Sequence, residues 1–152
     1  MRKIIYVLAL LAFATPLFAS DPMVGTWTLD SAKTKYKNGT PAKEVTLVIV
    51  QDSDNLLVTV TGTNADGSPI AIKYTVPVNG GIGTVQQGSF DTVVSKCVDA
   101  NTRETSFMRD GREVRARRAV ISNDGKTMTT AVSGVDSMGN PIVGTDVFDK
   151  KM

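Results

Sequence analysis

Five arginines lie close together in the second half of the chain, at Arg109, Arg112, Arg115, Arg117 and Arg118. A guanidinium stays charged at any physiological pH and can donate two parallel hydrogen bonds to a carboxylate or phosphate. Because alternate residues of a strand share a face, Arg118 shares one with the apolar Ala116 and Val120. If that face points inward, Arg118 can bind the acidic headgroup of a ligand. The alternative is that Arg118 ends near a rim or pairs with a structural carboxylate.

The residue types on which most enzyme mechanisms depend are missing or scattered. The chain has no histidine, which excludes histidine triads, histidine-ligated zinc and the commonest general base. It has neither the Gly-x-Ser-x-Gly nor the Ser-x-x-Lys pattern that activates a serine. Carboxylates such as Asp91, Glu104 and Asp146 are spread along the chain, and we expect them on an outer face or at strand ends. We therefore predict no catalytic residue and no enzyme; a hydrolase or isomerase using tyrosine, arginine and carboxylates is the third alternative.

Two short motifs suggest phosphate or metal binding, but each lacks a required residue. Gly125-Lys126-Thr127 is similar to the end of a phosphate-binding loop, yet Val120 stands where that loop needs its first glycine. Asp52 and Asp54 are similar to the start of a calcium loop, but Leu56 occupies a position that should supply an oxygen ligand. We predict neither a metal site nor a cofactor.

The first 19 residues have the layout of a bacterial secretory signal peptide. Arg2 and Lys3 precede an apolar run from Ile4 to Phe13, and Ala19 stands just before polar residues. The run is shorter than the roughly 20 residues that span a bilayer, and no similar run follows, so we predict no membrane anchor. Removal of residues 1–19 leaves 15 basic and 15 acidic residues, which does not favour nucleic acid as a partner. The sequence thus predicts a periplasmic or secreted domain over residues 20–152.

That domain reads as a succession of short strands joined by tight turns. Runs rich in Val, Ile and Thr are separated by dipeptides such as Asp110-Gly111 and Asp124-Gly125, which favour hairpins. The nine or ten predicted strands are Val24 to Asp30, Glu44 to Gln51, Asn55 to Thr63, Ile70 to Pro77, Gly83 to Gln86, Thr92 to Asp99, Arg103 to Arg109, Glu113 to Ser122, Thr127 to Val135 and Ile142 to Asp149. The pattern predicts an all-β protein, an antiparallel up-and-down barrel of about 8 to 10 strands.

A barrel of this size can bury a core without disulfide bonds. Cys97 is the single cysteine, so no internal disulfide forms, and its place in the apolar run Val93 to Val98 predicts a buried, inert thiol. Tyr74 alternates with other large apolar residues on the predicted inner face of its strand. Tyr74 and Phe107 are therefore candidates either for lining an apolar ligand cavity or for filling the core.

Gly25-Thr26-Trp27 resembles the Gly-x-Trp opening of the lipocalins and the wider calycin group. The longer pattern is more specific; it comprises Gly25-Thr26-Trp27-x-Leu29-Asp30-x-x-Lys33-x-Lys35-Tyr36, Asp66-Gly67-x-Pro69, Asp99-x-Asn101-Thr102 and Ser122-x-Asp124-Gly125-Lys126-Thr127-Met128. From Val24 to Lys150 the chain resembles a family of small exported bacterial lipocalin-like proteins, which has no settled activity. The resemblance implies a calycin-type barrel in which Gly25 and Trp27 form a plug at one end.

Two expected features of the group have no direct counterpart. In lipocalins an arginine near the last strand packs on the tryptophan, whereas the predicted last strand, Ile142 to Asp149, has none, and Arg118 is the nearest candidate. The related fatty-acid binders carry an Arg-x-Tyr pair near the end of the chain, where this sequence has Asp146-Val147-Phe148. The resemblance therefore does not extend to that carboxylate site.

These observations favour a non-enzymatic, exported barrel that binds a small apolar or amphipathic ligand. Its candidate ligand contacts are Tyr74, Phe107 and Arg118. The alternative is an envelope protein-interaction module with a side-chain-filled barrel, which recognises its partner through the loops Asn64 to Pro69 and Ser137 to Pro141. These loops share the pattern of a glycine turn followed by proline, which two similar hairpins also explain.

Overall fold

The structure, a computed structural model, describes residues 20–152, and every regular element in this range is a β-strand. The strands are β1 (Gly25–Leu29), β2 (Lys35–Asn38), β3 (Glu44–Asp52), β4 (Asn55–Thr63), β5 (Pro69–Pro77), β6 (Gly81–Ile82), β7 (Thr84–Gln87), β8 (Thr92–Asp99), β9 (Thr102–Arg109), β10 (Arg112–Ile121), β11 (Thr127–Val135) and β12 (Pro141–Lys150). Among these residues no helix is long and apolar enough to cross a membrane. The predicted signal peptide, residues 1–19, lies outside the described range and remains a prediction.

All strand pairs are antiparallel, and most join neighbours in the chain. The hydrogen-bonded order is β6-β8-β9-β10-β11-β12-β1-β3-β4-β5-β7. Strands β6 and β7 are successive halves of one segment: β6 pairs with β8 and β7 pairs with β5. Between them, the Gly83 amide donates to the Val93 carbonyl oxygen at 2.8 Å. The sheet therefore curls into a nearly closed barrel, which confirms the predicted fold class.

The structure has more strands than the sequence analysis predicted. The extra short strand β2 pairs with β12 at Val143 to Thr145, beyond the residues of β12 that pair with β1. The strand predicted from Gly83 to Gln86 corresponds to β7, and β6 is an additional two-residue strand just before it. Short strands of two to four residues carry too few alternating positions for a hydrophobic pattern to reveal them.

Alternation along the strands builds the interior. In β3 and β4 the buried positions are Val45, Leu47 and Ile49, and Leu56, Val58 and Val60, and they continue around the barrel to Val76, Phe107, Met128 and Phe148. Intervening residues face outward, as in any sheet with one dry face. Each large side chain buried in this way contributes about 1.5–3 kcal/mol to folding.

The two ends of the barrel differ. At the end that carries residues 20–24, called here the N-terminal end, the Trp27 indole nitrogen donates to the Met23 carbonyl oxygen at 2.9 Å. Trp27 is fully buried there, as expected of a barrel plug. The turns that follow β4, β7, β9 and β11 lie at the opposite end, which the alternating strand directions define.

Two hairpins at the opposite end share one geometry. In the first, the Asn64 amide donates to the Ser68 carbonyl; in the second, the Asp136 amide donates to the Asn140 carbonyl. Near the end of each preceding strand is a glycine, Gly62 or Gly134. The neighbouring backbone lies so close to it that any side chain at that position would overlap this backbone. The sequence similarity of the two loops therefore reflects a shared hairpin structure.

Candidate ligand-binding site

The barrel encloses a cavity of about 60 Å³ between its two ends. Its walls are mainly apolar side chains from β3, β4 and β5, such as Leu47, Val58 and Val76, together with Ala119 and Met128. The polar groups that reach it include two arginine and two threonine side chains. Enclosure by apolar walls with a few convergent polar groups is the usual character of a small-molecule site.

Arg117 is one of the two arginines that line this cavity, and a β-bulge places it there. In the β9–β10 ladder Glu113 pairs with Met108, but Arg115, rather than Val114, pairs with the next residue, Phe107. Because Phe107 is buried, the bulge at Val114 turns Arg115 and every second residue after it to the inside. This shift is visible in the pairing of β9 with β10, and the alternation of residues along β10 alone does not reveal it.

Arg118, the candidate contact if its face of the strand points inward, does not face the interior, for the same reason. With the bulge, Arg118 falls on the outer face of β10, where its side chain is 50% exposed and forms a salt bridge with Glu104 of β9. The structure therefore agrees with the alternative, in which Arg118 pairs with a structural carboxylate. Ala116 and Val120 lie on that outer face with it.

Arg115 and Arg117 both reach the inside of the barrel. Both line a second, smaller cavity of about 10 Å³, and Arg117 lines the larger one as well. The Nε–H group of each is buried without a hydrogen-bond partner, and within residues 20–152 neither guanidinium forms a salt bridge. Burial, and then the charge of Arg117, lowers the pKa of Arg115. Together they make this part of the interior electropositive.

Tyr36 and Asp146 are the groups that face these arginines from the other side. Asp146 of β12 is buried, and Tyr36 of β2 packs against Gly144, where a side chain would overlap its ring. Burial, followed by the charge of Asp146, raises the pKa of Tyr36 to about 12. A neutral phenol and one buried carboxylate therefore face the two arginines, and the charge of Asp136, in the turn after β11, also acts on Arg115.

The structure brings the predicted contacts Tyr74 and Phe107 together. Their rings meet edge to face with centroids 5.2 Å apart, and Phe90 packs on Phe107 at 4.7 Å. All three line the smaller cavity, and Tyr74 lines the larger one too. Burial raises the pKa of Tyr74, so its hydroxyl stays neutral. Their role as ligand contacts remains a prediction.

The second arginine of the larger cavity, Arg103, is held at the N-terminal end by a dense set of acceptors. It forms a buried salt bridge with Asp21 at 3.1 Å and donates to Ser95 Oγ at 2.9 Å and to the Val78 carbonyl at 2.6 Å. Asp21 in turn accepts from the Met23 amide. Arg103 thus ties the N-terminal segment across this end, a role that sequence analysis missed.

Lys150, at the end of β12, occupies the position beside Trp27. Its Nζ lies 5.1 Å from the centre of the Trp27 ring, and its side chain covers Gly25. The predicted last strand, Ile142 to Asp149, ends one residue before Lys150. The cation beside the Trp27 ring is therefore Lys150 and not Arg118. A lysine on the last strand therefore packs on the fully buried Trp27.

Cys97 differs from its prediction, since the structure exposes it. It stands beside a bulge between Cys97 and Asp99, where β8 ends in the turn toward β9, and its thiol approaches the Asp99 carbonyl at 3.4 Å.

Within residues 20–152 no group of three or more cysteine, aspartate or glutamate side chains is arranged to hold a metal ion.

The geometry defines an antiparallel barrel with an internal cavity that carries arginine charge. No protein-family model matches the chain, and no curated protein is significantly similar to it. Solved structures to which it is similar include apocrustacyanin C1 (12% identity, TM-score 0.44, covering 86% of this chain and 62% of that one) and lobster apocrustacyanin A1 (13%, 0.43, 86% and 61%). A redesigned β-barrel, mFAP1, bound to DFHBI is also similar (13%, 0.43, 85% and 95%). The chain spans about three fifths of the length of the apocrustacyanins, and its own strand pairing establishes the fold.

Proposed function

We propose that this chain is an exported, non-enzymatic barrel that binds a small apolar or amphipathic molecule in its interior. The observation that carries the proposal is the internal cavity between β3, β4, β5 and β10, whose walls are mostly apolar. Burial of apolar ligand surface against such walls is favourable at about 25 cal/mol per Å². The polar side chains that line this cavity are arginine, threonine and tyrosine, with no carboxylate among them.

The size of the cavity limits the ligand. A volume of about 60 Å³ corresponds to roughly four to six water molecules on a scale of 10–15 Å³ each. Pockets for drug-sized molecules are far larger, about 300–1,000 Å³. The structure therefore favours a compact occupant, with a short chain or a single ring.

The first test is native mass spectrometry of the protein purified from the compartment to which it is exported, before and after denaturing extraction. An extra mass that disappears on extraction supports the proposal and identifies the ligand, whereas an unliganded mass alone counts against it. The mass also gives the first residue, and Ser20 is expected if the signal peptide is cleaved after Ala19.

A matched pair of variants ties binding to the cavity. Ala119→Leu places extra volume in the cavity, whereas Ala116→Leu adds the same atoms on the outer face of the same strand. We expect the extra mass to be lost with Ala119→Leu and kept with Ala116→Leu. If both variants kept the extra mass equally, the ligand would bind outside this cavity.

The alternative is a protein-interaction module, and the extent of side-chain filling favours it. Trp27, Phe148, Leu56, Val76 and Val93 are fully buried and occupy much of the interior. The two matching hairpins at the opposite end are held rigid by Asp66 and Asp136, whose side chains accept hydrogen bonds within their own turns.

This alternative predicts an unliganded mass together with a native complex in cell extracts that is larger than the monomer. Asp66→Ala and Asp136→Ala loosen these turns and should release the partner, with Asp124→Ala, in a turn at the N-terminal end, as the control. A monomer in extracts excludes this reading.

A further inference from the structure

Inside the barrel, a buried arginine Nε–H group without an acceptor is energetically unfavourable unless something binds it. A buried polar donor without an acceptor loses its hydration, and the loss is greater when the group is charged. Arg115 and Arg117 both have buried Nε–H groups in this condition. Arg118, one residue further, shows the contrast because it is exposed and paired with Glu104.

Two carboxylates act on the pair, but only one of them is inside the barrel. Asp146 is buried, whereas Asp136 stands in the turn that follows β11, and Tyr36 and Tyr74 are neutral phenols. Arg103 and Asp21 neutralise each other at the N-terminal end. In the interior one buried carboxylate therefore stands against two arginines, which favours an anion from outside the chain as a further partner.

The position of Arg117 joins this charge to the apolar cavity. It lines both the smaller cavity, with the aromatic rings of Phe90 and Phe107, and the larger one, with Leu47 and Val58. A molecule whose charged group contacts Arg117 can therefore place an apolar group against either wall.

We infer that Arg115 and Arg117 form an anion-binding subsite and that the ligand is a small amphipathic monoanion, such as a carboxylate with a short aliphatic or single-ring group. This inference rests on the proposed function and specifies its ligand class. A guanidinium matches a carboxylate geometrically, and charge-assisted hydrogen bonds of this kind are about twice as strong as neutral ones.

The test uses benzoate and benzyl alcohol, which share a ring and differ in charge. Binding to the ligand-stripped full-length mature protein is followed by NMR, through the arginine Nε–H signals and the methyl signals of Ala119 and Met128. We expect benzoate to bind at least about tenfold more tightly, the scale of one charge-assisted hydrogen bond. Arg117→Met should remove this preference, and Arg118→Met should leave it intact.

A stability measurement separates binding from a structural role. If Arg117 is an unpaired site for a ligand, Arg117→Met should raise the Tm of the ligand-free protein and abolish its increase with benzoate. Arg103→Met, which removes a paired arginine, should lower the Tm. A lower Tm for Arg117→Met would make Arg117 structural and overturn the inference.

The outcomes also separate the inference from the proposed function. Equal binding of benzoate and benzyl alcohol would overturn the anion subsite while supporting a ligand-binding cavity. Binding of inorganic phosphate as tightly as benzoate would show a plain anion site and contradict an amphipathic ligand. Failure of both ring compounds to bind would count against the subsite and the proposed function together.

Discussion

The Lys150 Nζ atom lies 5.1 Å from the centre of the fully buried Trp27 ring. Through this contact the last strand of the barrel meets the first, since Trp27 and Lys150 are also register partners in the β1–β12 ladder. The aliphatic part of Lys150 covers Gly25 as well. The pair therefore joins the two ends of the chain where the barrel closes.

Removing the charge of Lys150 should weaken this closure by a small, measurable amount. We expect Lys150→Met, which keeps the aliphatic stem, to lower the free energy of unfolding by about 0.5–1 kcal/mol, the usual value of a cation–π contact. Urea unfolding followed by the fluorescence of the single tryptophan measures it. Lys151→Met, at an exposed neighbour, is the control, and an equal loss in both variants would contradict the contact.

A larger effect is expected at the buried salt bridge between Arg103 and Asp21. Asp21→Asn leaves the Arg103 charge without its carboxylate, and breaking such a buried pair costs about 3–5 kcal/mol. We expect about 3 kcal/mol, the lower end of that range, because Arg103 keeps Ser95 Oγ and two carbonyl oxygens as acceptors. Equilibrium unfolding in urea is the measurement.

The matched control is Glu104→Gln, which breaks the exposed salt bridge with Arg118. Exposed pairs contribute about 0–1 kcal/mol, so this variant should lie close to the unmodified protein. Similar losses from Asp21→Asn and Glu104→Gln would show that the N-terminal segment does not close the barrel as described.

The two arginine positions show how far the sequence could predict the site. Alternation divides the arginines of β10 between two faces but does not decide which face points inward, and Arg118 was the candidate only if its own face did. One extra residue at the bulge exchanges the two faces, so Arg115 and Arg117 are inside instead. Bulges depend on the pairing of two strands, and a pattern within one strand does not contain that information.

Other parts of the fold were predictable because they depend on local chemistry. The long strands β3, β4 and β5 follow from alternation, and turns such as Asp124-Gly125 follow from the backbone angles that glycine permits. The Asp21–Arg103 pair could not be predicted, because it joins residues 82 positions apart. Cys97 alternates with the buried Val93 and Ser95 but lies near the end of β8, where it is exposed, and alternation does not show where a strand leaves the barrel interior.

The raised pKa of Tyr36 predicts a loss of stability at alkaline pH. Its pKa is about 12 in the folded protein and about 10 in the unfolded chain. Between these values the folded state keeps a proton that the unfolded state has released, so stability is full below pH 10 and falls as the pH rises toward 12. After allowance for solvent screening we expect on the order of 1–2 kcal/mol.

Unfolding measured from pH 9 to 12, compared between the unmodified protein and Tyr36→Phe, isolates this effect. Lysine deprotonation and the titration of Tyr74 are common to both proteins and cancel in the difference. The difference should grow through the alkaline range, and two parallel curves would show that the Tyr36 hydroxyl is not held next to Asp146.

Gly144 is the position on β12 that allows Tyr36 to reach the interior. A Cβ atom there would overlap the Tyr36 ring, and forcing a side chain into a packed site costs about 1–3 kcal/mol. Gly144→Ala should therefore lower the free energy of unfolding by that amount. Because Gly144 has no left-handed backbone angle, the loss should come from the overlap alone. In a Tyr36→Ala background the same change should cost almost nothing, and a loss that persists there would mean that Gly144 serves the β12 backbone rather than Tyr36.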